Sequence, residues 1–340
     1  MKSGLLAKFL EVAVRNYRPV LLTGSPGVGK TDIVKLVAML AGFRLIISHP
    51  VVADPSDAKG LAWPAKDGKS AAFIPIGQMF ELLNAKEPTI WFLDDLGQAT
   101  PAVQAAYMQW ILAREVNGHR IPDCVTILAA TNRRQDKAGV SSILEPVKGR
   151  FKTIIELEPC IKDWTQWAIT TKKVAFPFIA FLGFRPELLS AFVPTAEMTN
   201  SPTPRNWQSA SELYVDGVPN GAELEVYSGS VGSSAATELT GFLRIMHSLP
   251  NPDAVMLNPM GADVPEAPNV MWALGGALCE RVNVHNYGRF LQFTERVHKG
   301  GSGEFAAWMV KFSMAKHPEV QHTPEFMQMI AGDLGQLVNA

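Results

Sequence analysis

A short segment near the start of the chain has residue types and spacing suited to holding an anion. Gly24-Ser25-Pro26-Gly27-Val28-Gly29-Lys30-Thr31 fits the pattern G-x-x-x-x-G-K-[ST], and Asp32 follows directly. Glycines admit positive φ and let backbone N–H groups close around phosphate oxygens. A helix beginning near Lys30 turns its positive end toward the same anion. The Lys30 ammonium adds a point charge for β- and γ-phosphates, and the Thr31 hydroxyl can ligate Mg²⁺. Gly24 through Asp32 are therefore the candidate nucleotide contacts. A second run, Ile90-Trp91-Phe92-Leu93-Asp94-Asp95, is apolar and ends in two acids. Carboxylates at a strand end stand at the carboxyl edge of a sheet, beside a phosphate loop. Asp94 is the second candidate metal ligand, acting through water, and Asp95 the candidate to orient or activate an attacking water. A third run, Leu128-Ala129-Ala130-Thr131-Asn132, delivers Asn132 to that same edge, in reach of a γ-phosphate or the water.

These residues need a frame. Pro19–Thr23, Leu45–Ile47, Thr89–Leu93, Val125–Ala129 and Ile154–Ile155 read as buried strands. Apolar residues at helical spacing separate them: Leu5, Leu6, Phe9, Leu10, Ala13 and Val14, then Ile33, Val34, Leu36, Val37 and Leu40 with a stop at Gly42. Thr100-Pro101 caps a helix running to about Arg114, and Asn117-Gly118 marks a hairpin turn. Strands alternating with helices predict a parallel sheet covered on both faces. Ala65–Lys69 reads as the turn of an inserted hairpin between Trp63 and Phe73, and a helix follows at Met79–Leu83. Beyond residue 157 the pattern turns helical. Asp163–Ile169, Phe178–Phe192, Thr237–His247, Val270–Val282, Tyr287–Lys299 and Glu304–Ala315 read as helices, Gly217–Ser234 as a connector and Ser248–Asn269 as a long loop. Trp164, Trp167 and Trp207 read as core. Phe326, Met327, Met329 and Ile330 read as the packed face of a final helix.

Composition narrows the function classes. The 340 residues are 47% hydrophobic and 19% charged, a globular balance sufficient for about two domains. Lys+Arg is 31 against Asp+Glu 32, so no basic excess announces a nucleic-acid partner. The three cysteines, Cys124, Cys160 and Cys279, are far apart and read as buried thiols rather than a disulfide framework or metal site. Charged residues interrupt the first eighteen positions, against a signal peptide, and no apolar stretch is long enough to span a membrane. A cytoplasmic protein is the expectation.

The three elements, in this order and spacing, resemble an AAA+ ATPase. Asp94-Asp95-Leu96-Gly97-Gln98-Ala99-Thr100-Pro101 with Val103-Gln104, and His49 through Gly60, are similar to the MoxR branch, whose members carry an insertion where the Trp63–Phe73 hairpin falls. Leu249–Asp253, His317-Pro318 and Thr323-Pro324 resemble the tail of one bacterial and phage subgroup. The resemblance implies an α/β P-loop core with a parallel sheet over residues 1–157, a helical lid over 158–214, and a mainly helical region over 215–340. It also implies MgATP hydrolysis in a ring, most simply a hexamer, that remodels or activates a protein client, often with a separate von Willebrand factor A domain protein. Glu145-Pro146-Val147-Lys148-Gly149-Arg150-Phe151 resembles the segment whose arginine reaches a neighbouring subunit's ATP, which makes Arg150 the candidate arginine finger. Thr203-Pro204-Arg205-Asn206-Trp207 resembles the lid motif whose arginine reads the γ-phosphate, which makes Arg205 that candidate. Arg133 and Arg134 are rivals for a phosphate role that the family pattern does not match. The chain departs from the family at Asp95, where glutamate is usual; aspartate is one methylene shorter, about 1.5 Å of reach. That departure leaves an ATP-gated, non-hydrolysing assembly module as one alternative, and a nucleic-acid motor or loader is another.

Overall fold

The computed structural model describes residues 1–65, 69–136, 143–195, 198–247, 249 and 251–339. Lys66 and the rest of the expected hairpin turn, at 66–68, lie outside the described residues, as do Ser248 and Pro250. The chain forms two compact units, Met1–Cys160 with Phe192–Ala196, and Ile161–Ala191 with Glu197–Ala340.

The first unit begins with α1 (Ser3–Arg15), β1 (Val20–Gly24), α2 (Lys30–Ala41) and β2 (Arg44–Ser48). A short α3 (Pro55–Lys59), the hairpin β3 (Leu61–Pro64) and β4 (Ala71–Ile74), and α4 (Gly77–Leu83) follow. Then come β5 (Thr89–Leu93), α5 (Pro101–Ala113), the small hairpin β6 (Glu115–Val116) and β7 (His119–Arg120), β8 (Val125–Asn132), α6 (Glu145–Lys148) and β9 (Thr153–Glu156). Five strands make one parallel sheet in the order β2-β5-β8-β1-β9. Their side chains alternate between two cores, as the two-residue period of a strand requires. Val20, Leu22, Ile90, Phe92, Leu128 and Ala130 face α1 and α2. Leu21, Trp91, Leu93, Ile127 and Ala129 face α5. Every residue of β5 and β8 is buried, which explains their uninterrupted apolar reading.

The predicted elements of this unit are present, with local differences. Leu5 is exposed on α1, and Leu36 and Leu40 are exposed on α2; Ala7 and Ala38 take the buried positions. The β8 strand runs to Asn132, beyond the Ala129 at which the apolar run stops. All of β3 and β4 is exposed, Trp63 included at 61%. Of the three cysteines only Cys279 is buried; Cys124 and Cys160 are half-buried.

The second unit is helical: α7 (Ile161–Thr171), α8 (Phe176–Phe184), α9 (Pro204–Asp216), α10 (Glu223–Val231), α11 (Ser233–His247) and α12 (Pro252–Leu257). It continues through α13 (Pro268–Cys279), α14 (Tyr287–Lys299), α15 (Gly303–Lys316), α16 (Pro324–Ile330) and α17 (Asp333–Asn339). One hydrophobic core runs through it from Trp164 to Val338, so the segments 161–191 and 215–339 share their packing. Four expectations are corrected here. The helix expected over Phe178–Phe192 ends at Phe184, because Pro186 cannot continue it. The supposed connector Gly217–Ser234 contains α10, which buries Tyr227 and Val231, and the supposed loop Ser248–Asn269 contains α12. Phe326 and Met329 are packed as expected, but Met327 is exposed and α17 follows, so theirs is not the last helix.

Trp207 is wholly buried, packs edge-on against Phe178 and tilted against Phe181, and donates its indole N–H to Leu188 O at 2.7 Å. Trp207→Ala is expected to destabilise the second unit by about 3–5 kcal/mol. Trp63→Ala, on the exposed hairpin, should stay within about 0.5 kcal/mol. Calorimetric unfolding of both variants checks the contrast; equal effects would refute it.

Candidate nucleotide site

Two parallel neighbours build this site. In the β1–β8 ladder Thr23 lies opposite Thr131 and Gly24 opposite Asn132, so both strands discharge their next residues at one edge. The chain leaving β1 turns through Gly27 and Gly29, both with positive φ, and Gly29 at +101° is the N-cap of α2. A side chain is strained in that conformation, which explains the glycine. Lys30, the first residue of α2, is folded back over the loop and 7% exposed. Its ammonium donates to Gly24 O at 3.0 Å, Ser25 O at 3.1 Å and Asn132 Oδ1 at 2.7 Å. A buried charge requires such partners. Lys30 and Asn132, candidates expected at the same sheet edge and 102 residues apart, are thus in direct contact.

The candidate metal ligands also meet. Thr31 Oγ1 donates to Asp94 Oδ2 at 2.7 Å, so a hydroxyl and a carboxylate, both hard oxygen donors, sit together beside the loop. Asp94 is nearly buried, and its amide donates to Ser48 O at 2.9 Å, which fixes the exit of β5 to the end of β2. Asp95 takes the left-handed conformation at φ 55°. Its Oδ1 lies 3.5 Å from Asn132 Nδ2. Two residues on, a Cβ on Gly97 would come within 2.3 Å of Thr131 Oγ1, so only glycine lets this turn lie against the end of β8.

The arginines divide. Arg133 is not free for phosphate: Nε and Nη2 form a fork on the buried carboxylate of Asp136, at 2.9 and 2.8 Å, and Nη1 reaches Glu156 at 2.8 Å. Its guanidinium is held well above its usual range, first by the hydrogen bonds to Asp136. Arg134 is exposed. Arg150 follows α6, with its amide on Val147 O. Its Nε is buried and has no hydrogen-bond partner among the described residues. Arg205 is exposed in the first turn of α9, in the second unit, where Thr203 caps the helix by accepting from Asn206 N at 3.2 Å.

Sequence reasoning named Gln104 only as part of a family pattern, yet this wholly buried amide ties two site segments together. Its Nε2 donates to Ala99 O at 3.0 Å, and its Oε1 accepts from Leu144 N at 3.0 Å, at the start of the segment that carries Arg150. Ser48 and the Arg133–Asp136–Glu156 cluster were not anticipated either. A buried polar residue mid-helix is the one local signal that could have found Gln104.

A parallel α/β sheet with a glycine-rich loop, a lysine-headed helix and paired acids at one carboxyl edge defines a P-loop nucleoside-triphosphate-binding domain. Residues 20–159 match the AAA family, the ATPase family associated with various cellular activities. That stretch of this chain therefore matches an AAA ATPase domain. Proteasome-activating nucleotidase of Sulfurisphaera tokodaii is 32% identical over 163 residues, which cover 44% of this chain and 36% of that protein. Midasin of Giardia intestinalis is 26% identical over 155 residues, 42% of this chain and 3% of that protein. The chain thus spans little more than a third of the length of its archaeal relatives. Among solved structures, the Thermotoga maritima RuvB Holliday junction branch migration motor aligns over 80% of this chain and 85% of its own, at 15% identity and a TM-score of 0.42. Among the described residues, no helix is long and apolar enough to cross a membrane.

If Arg133 is structural, Arg133→Ala should cost about 1–3 kcal/mol of stability by orphaning the buried Asp136. Affinity for a fluorescent ATP analogue should stay within about threefold of wild type. A tenfold loss of affinity at unchanged stability would return Arg133 to the phosphate site.

Proposed function

We propose that this chain is a MoxR-like AAA+ ATPase that hydrolyses MgATP at the subunit interfaces of a ring, with six subunits, and uses the cycle to remodel or activate a partner protein. The observation that carries the reading is the convergence of Lys30, Thr31, Asp94, Asp95 and Asn132 on one sheet edge. The loop amides of Gly24–Asp32 and the α2 N-terminus receive the phosphates, and Lys30 exchanges its carbonyl acceptors for phosphate oxygens. Mg²⁺, when bound by Thr31 and by Asp94 through water, neutralises charge on the β- and γ-phosphates. Asp95 and Asn132 hold the attacking water. Its oxygen bonds to the γ-phosphorus, the bond to the β-phosphate oxygen breaks, ADP leaves with the electron pair, and the water proton passes by way of Asp95 to the phosphate released.

Arg150 acts in trans in this reading. Its buried, unpartnered Nε supports a guanidinium kept for an anion rather than spent on a local pair. Arg205 is the candidate for the γ-phosphate contact from the lid, on the strength of the Thr203–Trp207 motif. The client is a protein. A separate von Willebrand factor A domain protein is the partner class that the MoxR resemblance suggests, and the nucleotidase name of the archaeal relatives supports action on another protein.

The test is steady-state ATP hydrolysis over a protein concentration series, with Lys30→Ala and Arg150→Ala alone and mixed. Turnover per subunit should rise with concentration, and each variant should lose at least about a hundredfold. An equimolar mixture should recover part of the activity, because each supplies what the other lacks. Turnover independent of concentration, or no recovery on mixing, sinks the shared site. Tight ATP binding with no hydrolysis above the Lys30→Ala background sinks the motor and leaves the assembly module.

A further inference from the structure

A cleft of about 350 Å³ opens on the first unit, walled by the end of β2, the segment entering α3, the start of α4, β5 and α5. That volume lies at the low end of the ~300–1,000 Å³ of small-ligand pockets. None of its lining residues belongs to the candidate nucleotide set. Most of its polar atoms are already spent on the wall. Ser48 Oγ accepts from Trp91 Nε1 at 2.8 Å and donates to Gln78 Oε1 at 2.7 Å, while Gln78 Nε2 donates to Ile47 O at 2.7 Å.

Besides the His49 ring, two groups are left over. The Tyr107 side chain is only 4% exposed; its hydroxyl has no hydrogen-bond partner among the described residues and is not one of the buried unpartnered atoms, so it reaches the open space of the cleft. Asp57 is the one carboxylate in the lining, and only its Oδ2 is engaged, by Asp54 N at 2.9 Å. Burial, and then the Asp57 charge, push the Tyr107 phenol up to about 12, so it remains a neutral hydroxyl. Among the described residues, no lysine or arginine lines the cleft, and His49 is the only other titratable side chain there. Trp91 and Tyr107, their ring centroids 5.8 Å apart, and Met79 supply apolar and aromatic surface. Anionic charge, a hydroxyl acceptor and aromatic faces without a resident cation are the chemistry that receives an amine.

We propose that this cleft binds a primary alkylammonium group, with the charge on Asp57 and the Tyr107 hydroxyl oxygen and the stem against Trp91, Tyr107 and Met79. The source is a free polyamine or the side chain of a lysine on another protein, which share this chemistry. The site is independent of the ATPase reading, and its test uses no nucleotide.

Isothermal titration of the full chain at pH 8, where an ordinary histidine is neutral, compares n-butylammonium with n-butanol at matched ionic strength. Butylammonium should bind at least tenfold tighter. Tyr107→Phe and Asp57→Asn should each weaken it about threefold to tenfold. Asparagine retains an oxygen for the Asp54 amide, and unchanged melting of both variants separates lost binding from lost fold. The Met79 methyl resonance, assigned through Met79→Leu, should shift on titration. Spermidine against acetyl-Gly-Lys-Gly-amide then names the source: tighter binding of the first assigns a free polyamine, of the second a lysine side chain. Equal affinity for butanol, indifference to both variants, or no binding overturns the proposal.

Discussion

The rest of the site depends on a buried cation having its acceptors in place. The Lys30 ammonium is taken from water and must be met by oxygen on every side it presents. Two acceptors come from its own loop, Gly24 O and Ser25 O; the third, Asn132 Oδ1, comes from another strand. That third contact exists because β1 and β8 pair in parallel with Gly24 opposite Asn132. A slip of one residue would reverse the facing of β8, sending Ile127 and Ala129 to the α1–α2 side and turning Asn132 away from the loop. Register is therefore held from both ends, by two apolar cores along the strands and by a charge at their exit.

Much of this frame is legible in the sequence because burial on both faces leaves an apolar run that few other settings produce. Thr89–Leu93 is such a run, and its strand has those same bounds. Thr100 and Pro101 likewise announce the start of α5, since the cap and the proline act locally. Local pattern misleads where packing overrides it. Phe176–Phe184 is apolar all round and has no face to read, so only Pro186 marks its end. Glu223–Val231 contains Ser228, Gly229 and Ser230 and reads as linker, yet burial of Tyr227 and Val231 in the second core makes it helix. Leu36 and Leu40 fit the periodicity of α2 but lie on its solvent side, because the sheet accepts a narrower stripe than the sequence offers.

The site residues divide along the same line. That Lys30, Thr31, Asp94 and Asn132 lie close together was legible because strand ends converge by topology, without any knowledge of side-chain contacts. What surrounds them was not. Arg133 sits next to Asn132 and carries the charge expected of a phosphate ligand, but a fork on Asp136 and a bond to Glu156 account for it. The partner three residues away was visible in the sequence; the one twenty-three residues away on β9 was not. Gln104 is similar: its bonds to Ala99 and Leu144 have meaning only once α5 has carried it between those segments.

The Lys30 contact also decides how Asn132 meets Asp95. An ammonium has only donors, so the atom facing it at 2.7 Å must be the amide oxygen. The amide nitrogen then has to point the other way, and it does so toward Asp95 Oδ1 at 3.5 Å. A carboxylate there accepts from that N–H, so the polarity of the chain Lys30–Asn132–Asp95 is set by the cation at its head. Asp95 reaches this position from a left-handed backbone, which redirects a side chain one methylene shorter than glutamate. The length of the acid and the conformation of its backbone therefore have to be considered together. Reach lost along the side chain is one quantity, and the direction in which that side chain leaves the strand is another that composition alone cannot supply.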